Sequence, residues 1–154
     1  MEWILVLMLL VQPTAPWANT YEETARAIAH VVAEEEPLFD GPDGRAQTAA
    51  TLVSLAFFES RFDQRAQGDA GHSTGLFQSW GGGAALFDPT RATRAALAAM
   101  RESLHRCRHR PSAERLASYA SGSCDRGRAA SRVRMALAAR LLRLAPPPPE
   151  PPML

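Results

Sequence analysis

The residue best placed for acid–base chemistry is Glu59, at the C-terminal end of an apolar segment, 51–60 (TLVSLAFFES). The negative end of a helix dipole and apolar surroundings both disfavour a charged carboxylate. A carboxylic acid that stays neutral can donate a proton, as general-acid catalysis requires. The alternative is a carboxylate that simply points into water where the helix ends, and the residues alone leave the two about even.

The segment after Glu59 also has the composition of a functional loop. Residues 65–83 (RAQGDAGHSTGLFQSWGGG) include six glycines, too many for a regular element. Long glycine-rich loops in compact domains are usually functional, because a ligand can approach their backbone closely. A second carboxylate, Asp69, and an aromatic residue, Trp80, lie within this loop.

Helices are expected to position these residues, and no strand is predicted. A capping box at 20–23 (TYEE) predicts a helix that ends near Pro37. The last predicted helix has a core stripe of Val133, Leu137 and Leu141. This last helix covers about 128–144. A further helix is predicted over about 46–60, and another from Pro89 to about Arg110 with Asp88 as its cap. A short helix is predicted from 111 or 112 to about 120. The expected fold class is therefore all-α.

Composition limits the function classes. A chain of 154 residues with 46% hydrophobic and 21% charged residues fits one globular domain, not a disordered, collagen-like or polytopic membrane protein. The formal net charge is only +1, and all 17 basic residues are Arg. A nearly neutral chain has little attraction for phosphate backbones, so nucleic-acid binding is disfavoured.

The two ends have compositions of their own. The apolar run 4–11 (ILVLMLLV) is too short to span a bilayer as a helix, and residues 1–18 are predicted to be a signal peptide cleaved after Ala18. This predicts export to the periplasm or outside the cell, with retention at the inner membrane if the segment is not cleaved. Residues 145–154 (APPPPEPPML) are predicted to be a disordered, proline-rich tail, which leaves 19–144 as the domain.

The two cysteines, Cys107 and Cys124, are more readily interpreted as a disulfide than as free thiols in an exported protein. A zinc site is disfavoured, because His105 and His109 would share a helix face that Cys107 does not. We therefore expect no metal and no cofactor.

Three motifs occur in order along the chain: 59–62 (ESRF), 75–78 (GLFQ) and 116–122 (LASYASG). Together they resemble the catalytic domain of lytic transglycosylases of the soluble (SLT, family 1) type, which belong to the lysozyme-like superfamily. The Asp88-Pro89 pair matches a pair that the family has before a helix, and the resemblance covers 21–144. It implies a compact helical lysozyme-like domain with little or no sheet and a glycine-rich active-site loop.

The resemblance also implies an activity and a substrate. Such enzymes cut peptidoglycan between N-acetylmuramic acid and N-acetylglucosamine and leave a 1,6-anhydro ring on the muramic acid. Glu59 would act first as general acid and then as base, with Tyr119 near it. The candidate substrate-binding residues are Gln78, Tyr119, Ser60, Ser73, Trp80 and Asp69. Gln78 could instead hold the loop, and Ser60 and Ser73 could be structural hydrogen-bonding residues.

Departures from the family keep alternatives open. The family's Asn after the motif tyrosine is Ala120 here, and Ser79-Trp80-Gly81 replaces a common Ile-Met-Pro. One alternative is a hydrolytic muramidase, for which Asp69 would be the second carboxylate, whereas Asp63 suits a turn cap. Another is a catalytically inactive glycan-binding or assembly protein. Besides glycan strands, a secretion, conjugation or phage-type assembly could contact the proline-rich tail, and we expect a monomer.

Overall fold

The computed structural model describes residues 1–14 and 18–148, and helices account for most of this part of the chain. Three short 3-10 helices lie in the connections. The α-helices are α1 (Glu2–Val11), α2 (Ala18–Glu34), α3 (Gly44–Ser60), α4 (Pro89–Arg106), α5 (Ala117–Ser121) and α6 (Arg128–Leu144). The 3-10 helices are Asp69–Gly71, Gly83–Phe87 and Ser112–Glu114. The mainly helical prediction is confirmed.

The central helix is α3, which packs against α1, α2 and α6. Every residue from Thr48 to Ala56 is buried. A helix that is apolar on all sides is stable only where other elements surround it. This central position brings the C-terminal end of α3, and with it Glu59, between the loop that follows and α6.

The glycine-rich loop contains a small sheet that sequence analysis did not predict. Its antiparallel strands are β1 (Gln67–Gly68), β2 (Ser73–Thr74) and β3 (Ser79–Trp80), in that order. Gln67 pairs with Thr74, and Ser73 pairs with Trp80. The expectation of no strand is wrong here, because a strand of two residues is too short to show the alternation that identifies strands.

The buried side of α6 also differs from the predicted stripe. Val133 is 53% exposed, whereas Ser131, Ala138 and Leu141 are buried. The buried side is therefore rotated away from Val133. This rotation places the side chain of Arg134, only 14% exposed, on the side of α6 that packs against α3.

Two helices have a capping pattern near their start, and only one of them begins where the pattern predicts. Asp88 caps α4 as predicted, since its Oδ1 accepts a hydrogen bond of 2.7 Å from the backbone N–H of Arg91. Helix α2, in contrast, begins at Ala18, two residues before the predicted cap, Thr20. A capping-box pattern inside a helix gives the same sequence signal as one at its start.

The N-terminal segment forms a helix that packs on the domain. Ile4, Leu7 and Met8 of α1 are buried in the common core, and the Trp3 indole N–H donates to the carbonyl oxygen of Ala145 at 2.9 Å. Among the residues described, none of the helices combines the length and the apolar character that crossing a bilayer requires. The signal peptide and its cleavage after Ala18 stay predictions, and 149–154 of the predicted tail lie outside the described residues.

Two links fix α5 between α4 and α6. A disulfide joins Cys107, which follows α4, to Cys124, which follows α5, as the sequence predicted. The buried Glu114 accepts hydrogen bonds from Arg128 at 2.7 Å and from Arg132 at 2.5 Å, both on α6. The hydrogen bond from Arg128 lowers the pKa of Glu114 although burial acts in the opposite direction. The segment that carries Tyr119 is thus tied to its neighbours on both sides.

Candidate active site

A cleft of about 1100 Å³ opens beside the end of α3. One side is formed by the small sheet and the turn after it, and the other by α4 and α5. Of the residues singled out from the sequence, the cleft is lined by Glu59, Asp69, Ser73, Gln78, Trp80, Tyr119 and Ala120. Three segments far apart in the sequence therefore meet at one site.

Glu59 is positioned by an abrupt end of α3. The next residues, Arg61 and Phe62, both have left-handed backbone conformations, with φ of 55° and 65°. Such conformations cost about 1 kcal/mol or more each in residues other than glycine, and the fully buried Phe62 side chain holds the chain in this turn. Ser60 strengthens the turn, since its hydroxyl donates to the Leu76 carbonyl at 2.7 Å. The Ser60 hydroxyl thus holds the loop against the helix.

Glu59 has a cationic partner that sequence analysis did not identify. Its Oε1 lies 2.6 Å from Nη2 of Arg134, and both side chains are largely buried, with exposures of 20% and 14%. The Arg134 guanidinium also lies over the Phe58 ring, 5.4 Å from its centroid. The apolar surroundings expected for Glu59 are therefore wrong on this side, because a guanidinium group contacts its carboxylate. A signal existed in the sequence: Arg134 lies three residues after Ser131 and four before Ala138, on the buried side of α6.

Tyr119 lies on α5, partly buried against the core, and lines the cleft together with Glu59. Its hydroxyl donates to the carbonyl oxygen of Phe77 at 3.3 Å. Loss of water raises the pKa of Tyr119, the negative charge of Glu59 raises it further, and Arg134 acts against both. Tyr119 is therefore a neutral hydrogen-bonding group that joins α5 to the loop.

Gln78 has the structural role that was one of its two predicted roles. Its Nε2 donates to the carbonyl oxygens of Ala66 and Gly75, both at 3.0 Å, and so joins the start of the loop to the turn at its middle. A Cβ at position 68 would lie 2.5 Å from its Oε1, so a larger residue there would displace the Gln78 side chain. Gln78 still lines the cleft, so its amide also forms part of the cleft surface.

Asp63 and Asp69, the two acidic residues that follow Glu59 in the sequence, lie at different places relative to the cleft. Asp69 lines the cleft, and its Oδ2 accepts a hydrogen bond of 2.6 Å from the buried Ser73 hydroxyl. Asp63 caps the turn after α3, where its Oδ1 accepts from the backbone N–H of Arg65 at 2.9 Å. Of these two, Asp69 is thus the one that shares the cleft with Glu59.

An aromatic surface stands at the edge of the cleft. The Trp80 side chain is 75% exposed and stacks on His72, with ring centroids 5.4 Å apart and planes inclined by 26°. Exposure on this scale is unusual for tryptophan, which usually buries its large apolar surface. The stacked pair offers a flat, preoriented face to a ligand.

One face of α4 forms the opposite wall, which sequence analysis also missed. It presents Ala95 and Ala99, whose small side chains leave space, and then Ser103 and the ion pair of Glu102 with Arg106. Their spacing of three and four residues is that of one helix face, so a signal was present. Nothing in the sequence, however, distinguished this face from an ordinary solvated one.

No family model matches the chain, and the searches of curated proteins and of solved structures gave no match either.

Proposed function

We propose that the protein is a peptidoglycan lytic transglycosylase with Glu59 as its general acid and base. The observation that carries the proposal is the meeting of the 59–62, 75–78 and 116–122 motifs at one cleft, with Glu59 and Tyr119 both in its lining. A cleft that brings a candidate acid together with hydrogen-bonding groups from separate segments is the usual form of an active site.

The shape of the cleft supports a polymeric substrate. Its volume of about 1100 Å³ lies at or above the upper end of pockets for small molecules. Its lining includes amide, hydroxyl and carboxyl groups suited to sugars, and Trp80 supplies an apolar face. A glycan strand has the same combination of hydroxyl edges and apolar ring faces.

In the proposed reaction, protonated Glu59 donates its proton to the oxygen that links muramic acid to the next sugar, and the glycosidic bond breaks. The Glu59 carboxylate then takes the proton from the C6 hydroxyl of the same muramic acid. That oxygen bonds to the anomeric carbon and closes the 1,6-anhydro ring, so no water is consumed. The acetamido group of the substrate would stabilise the positive charge between the two steps, as in other substrate-assisted glycosidases.

A hydrolytic muramidase is the second candidate, because Asp69 shares the cleft with Glu59. In that reaction a second carboxylate would activate water or stabilise the cation. A glycan-binding protein without activity is the third, since Ala120 brings no polar group to the lining. Export to the periplasm or outside the cell, and a partner assembly that binds the proline-rich tail, belong to the same proposal.

The masses of the products separate these candidates. We expect the full chain to release muropeptides that end in 1,6-anhydromuramic acid when it is incubated with peptidoglycan sacculi. Products heavier by one water would identify a hydrolase and make Asp69 the next residue to replace. If folded protein releases no product but sediments with the sacculi, the binding role is correct and the enzyme proposal is wrong.

Trp80 provides a test of sugar binding at the edge of the cleft. Stacking of a ring on an aromatic face contributes about 1 kcal/mol, so W80A should raise KM for soluble glycan fragments about fivefold and leave kcat nearly unchanged. W80F retains a flat ring and should retain most of the affinity. An unchanged KM in W80A would show that the exposed ring contacts no substrate.

A further inference from the structure

We propose that a basic patch beside the cleft binds carboxylate groups of the short peptides that branch from the glycan strand. The proposal rests on the proposed function and adds a part of the substrate that lies outside the cleft. The basic patch consists of the side chains of Arg106, Arg108 and Arg126. Arg106 is the last residue of α4, Arg108 lies just after this helix, and Arg126 lies between α5 and α6.

The arginines are unevenly distributed along the chain. Residues 61–154 contain 15 of the 17 arginines but only 7 of the 16 acidic residues. The span 105–128 alone contains six arginines and two acidic residues. The nearly neutral net charge of the chain therefore combines an acidic N-terminal part with a basic remainder. A basic surface of this kind attracts anionic groups, although the net charge of the whole chain does not.

The disulfide brings the two halves of the basic patch together. Cys107 directly precedes Arg108, and Cys124 lies two residues before Arg126. The disulfide holds the Cα atoms of these cysteines 5.5 Å apart, so the segments on either side of it run close to each other. All three arginines of the basic patch are exposed, so a ligand can reach their guanidinium groups.

Two of these three arginines have no acidic partner. The carboxylates nearby are engaged, since Asp125 pairs with Arg110 and Glu114 pairs with two arginines of α6. Within the described residues, Arg126 contacts no carboxylate, and Arg108 donates only to a backbone carbonyl oxygen, at 3.4 Å. Their guanidinium groups therefore keep the paired N–H donors that bind a carboxylate in a bidentate manner.

Arg106 connects the basic patch to the cleft, and this connection favours an anion that belongs to the substrate itself. Arg106 lines the cleft, pairs with Glu102 and donates to the Ser118 hydroxyl at 3.2 Å. The cleft lining is acidic, because Glu59 and Asp69 line it together with Glu102. Uncharged sugars suit such a lining better than anions do. The muramic acids of a strand in the cleft carry peptides with free carboxylates, which branch away from the sugars towards the adjoining arginines.

The test is the binding of a soluble, peptide-bearing glycan fragment to the full chain carrying E59Q, so that a fragment the native enzyme would cut stays intact. A second fragment has the same sugars and peptides, but its carboxyl groups are converted to amides. We expect E59Q to bind the fragment with free carboxylates about fivefold more tightly than the amidated one, as exposed guanidinium–carboxylate contacts allow. Adding R108Q/R126Q should make the two affinities equal, and so should high salt.

A matched variant controls for net charge. R140Q/R143Q removes two exposed arginines of α6 outside the basic patch and should keep the fivefold preference. Because Arg108 and Arg126 are also exposed, R108Q/R126Q should keep the native unfolding temperature. Equal affinities for the two fragments before R108Q/R126Q is added, or a preference that survives it, would overturn the inference.

These outcomes are separate from those of the proposed function. A preference that R108Q/R126Q abolishes supports the inference even if the native protein releases no muropeptides, and that result contradicts only the proposed function. Vesicles with anionic phospholipid headgroups test the other source of negative charge. If R108Q/R126Q abolished binding to such vesicles while the two fragments bound equally, the basic patch would contact a membrane surface and the inference would be wrong.

Discussion

E59Q should release muropeptides from sacculi at least about 100-fold more slowly than the native protein, because the amide can neither donate nor take up the catalytic proton. The substitution keeps the size of the side chain, and the amide oxygen can still accept a hydrogen bond from Arg134. The cleft should therefore keep its shape, so the loss reports on chemistry. The measurement is the rate at which soluble muropeptides appear, with unfolding temperature recorded for each variant.

A matched control removes a carboxylate away from the cleft. Glu22 is exposed on α2, and E22Q should release muropeptides at the native rate. If E59Q also retained the native rate, Glu59 would not be the proton donor, and Asp69 would be the carboxylate of the cleft to test next. If E22Q and E59Q lost activity equally, net charge rather than proton transfer would account for the loss.

Removing the disulfide should produce the largest loss of stability. In C107A/C124A we expect the free energy of unfolding to fall by about 3 kcal/mol. The reason is that a crosslink closing a loop of this length lowers the conformational entropy of the unfolded chain. The two cysteines are 17 residues apart, and the loop between them contains α5 and Tyr119. The measurement is urea unfolding of the native protein and of C107A/C124A.

The native protein itself supplies the control. A reducing agent should lower the stability of the native protein towards that of C107A/C124A and should leave the variant unchanged. If the free energy of unfolding fell by less than about 1 kcal/mol, the ion pairs of Glu114 with α6 would be sufficient to keep the segment between the cysteines in place. In the proposed enzyme, the loosened wall should also lower activity, because Tyr119 and the lining residue Ser118 lie between the two cysteines.

The elements that sequence analysis predicted well are those with strong local signals. Helix α3 was recognisable from an apolar run, and the start of α4 from Asp88 followed by Pro89. The disulfide was predictable because the chain contains two cysteines and export was expected. The two-residue strands of the glycine-rich loop had no such signal, since only the pairing of distant backbone segments creates them.

The candidate site likewise combines features that have a local signal in the sequence with features that have none. By itself the sequence determined that Glu59 ends an apolar helix, that a glycine-rich loop follows and that a tyrosine motif comes later, because these depend on residue type and order. Only the tertiary structure decided what faces Glu59: Arg134 from α6, at a distance of 75 residues in the chain. That pairing depends on how α6 is rotated against α3, and the rotation follows from packing of the whole core rather than from any local pattern.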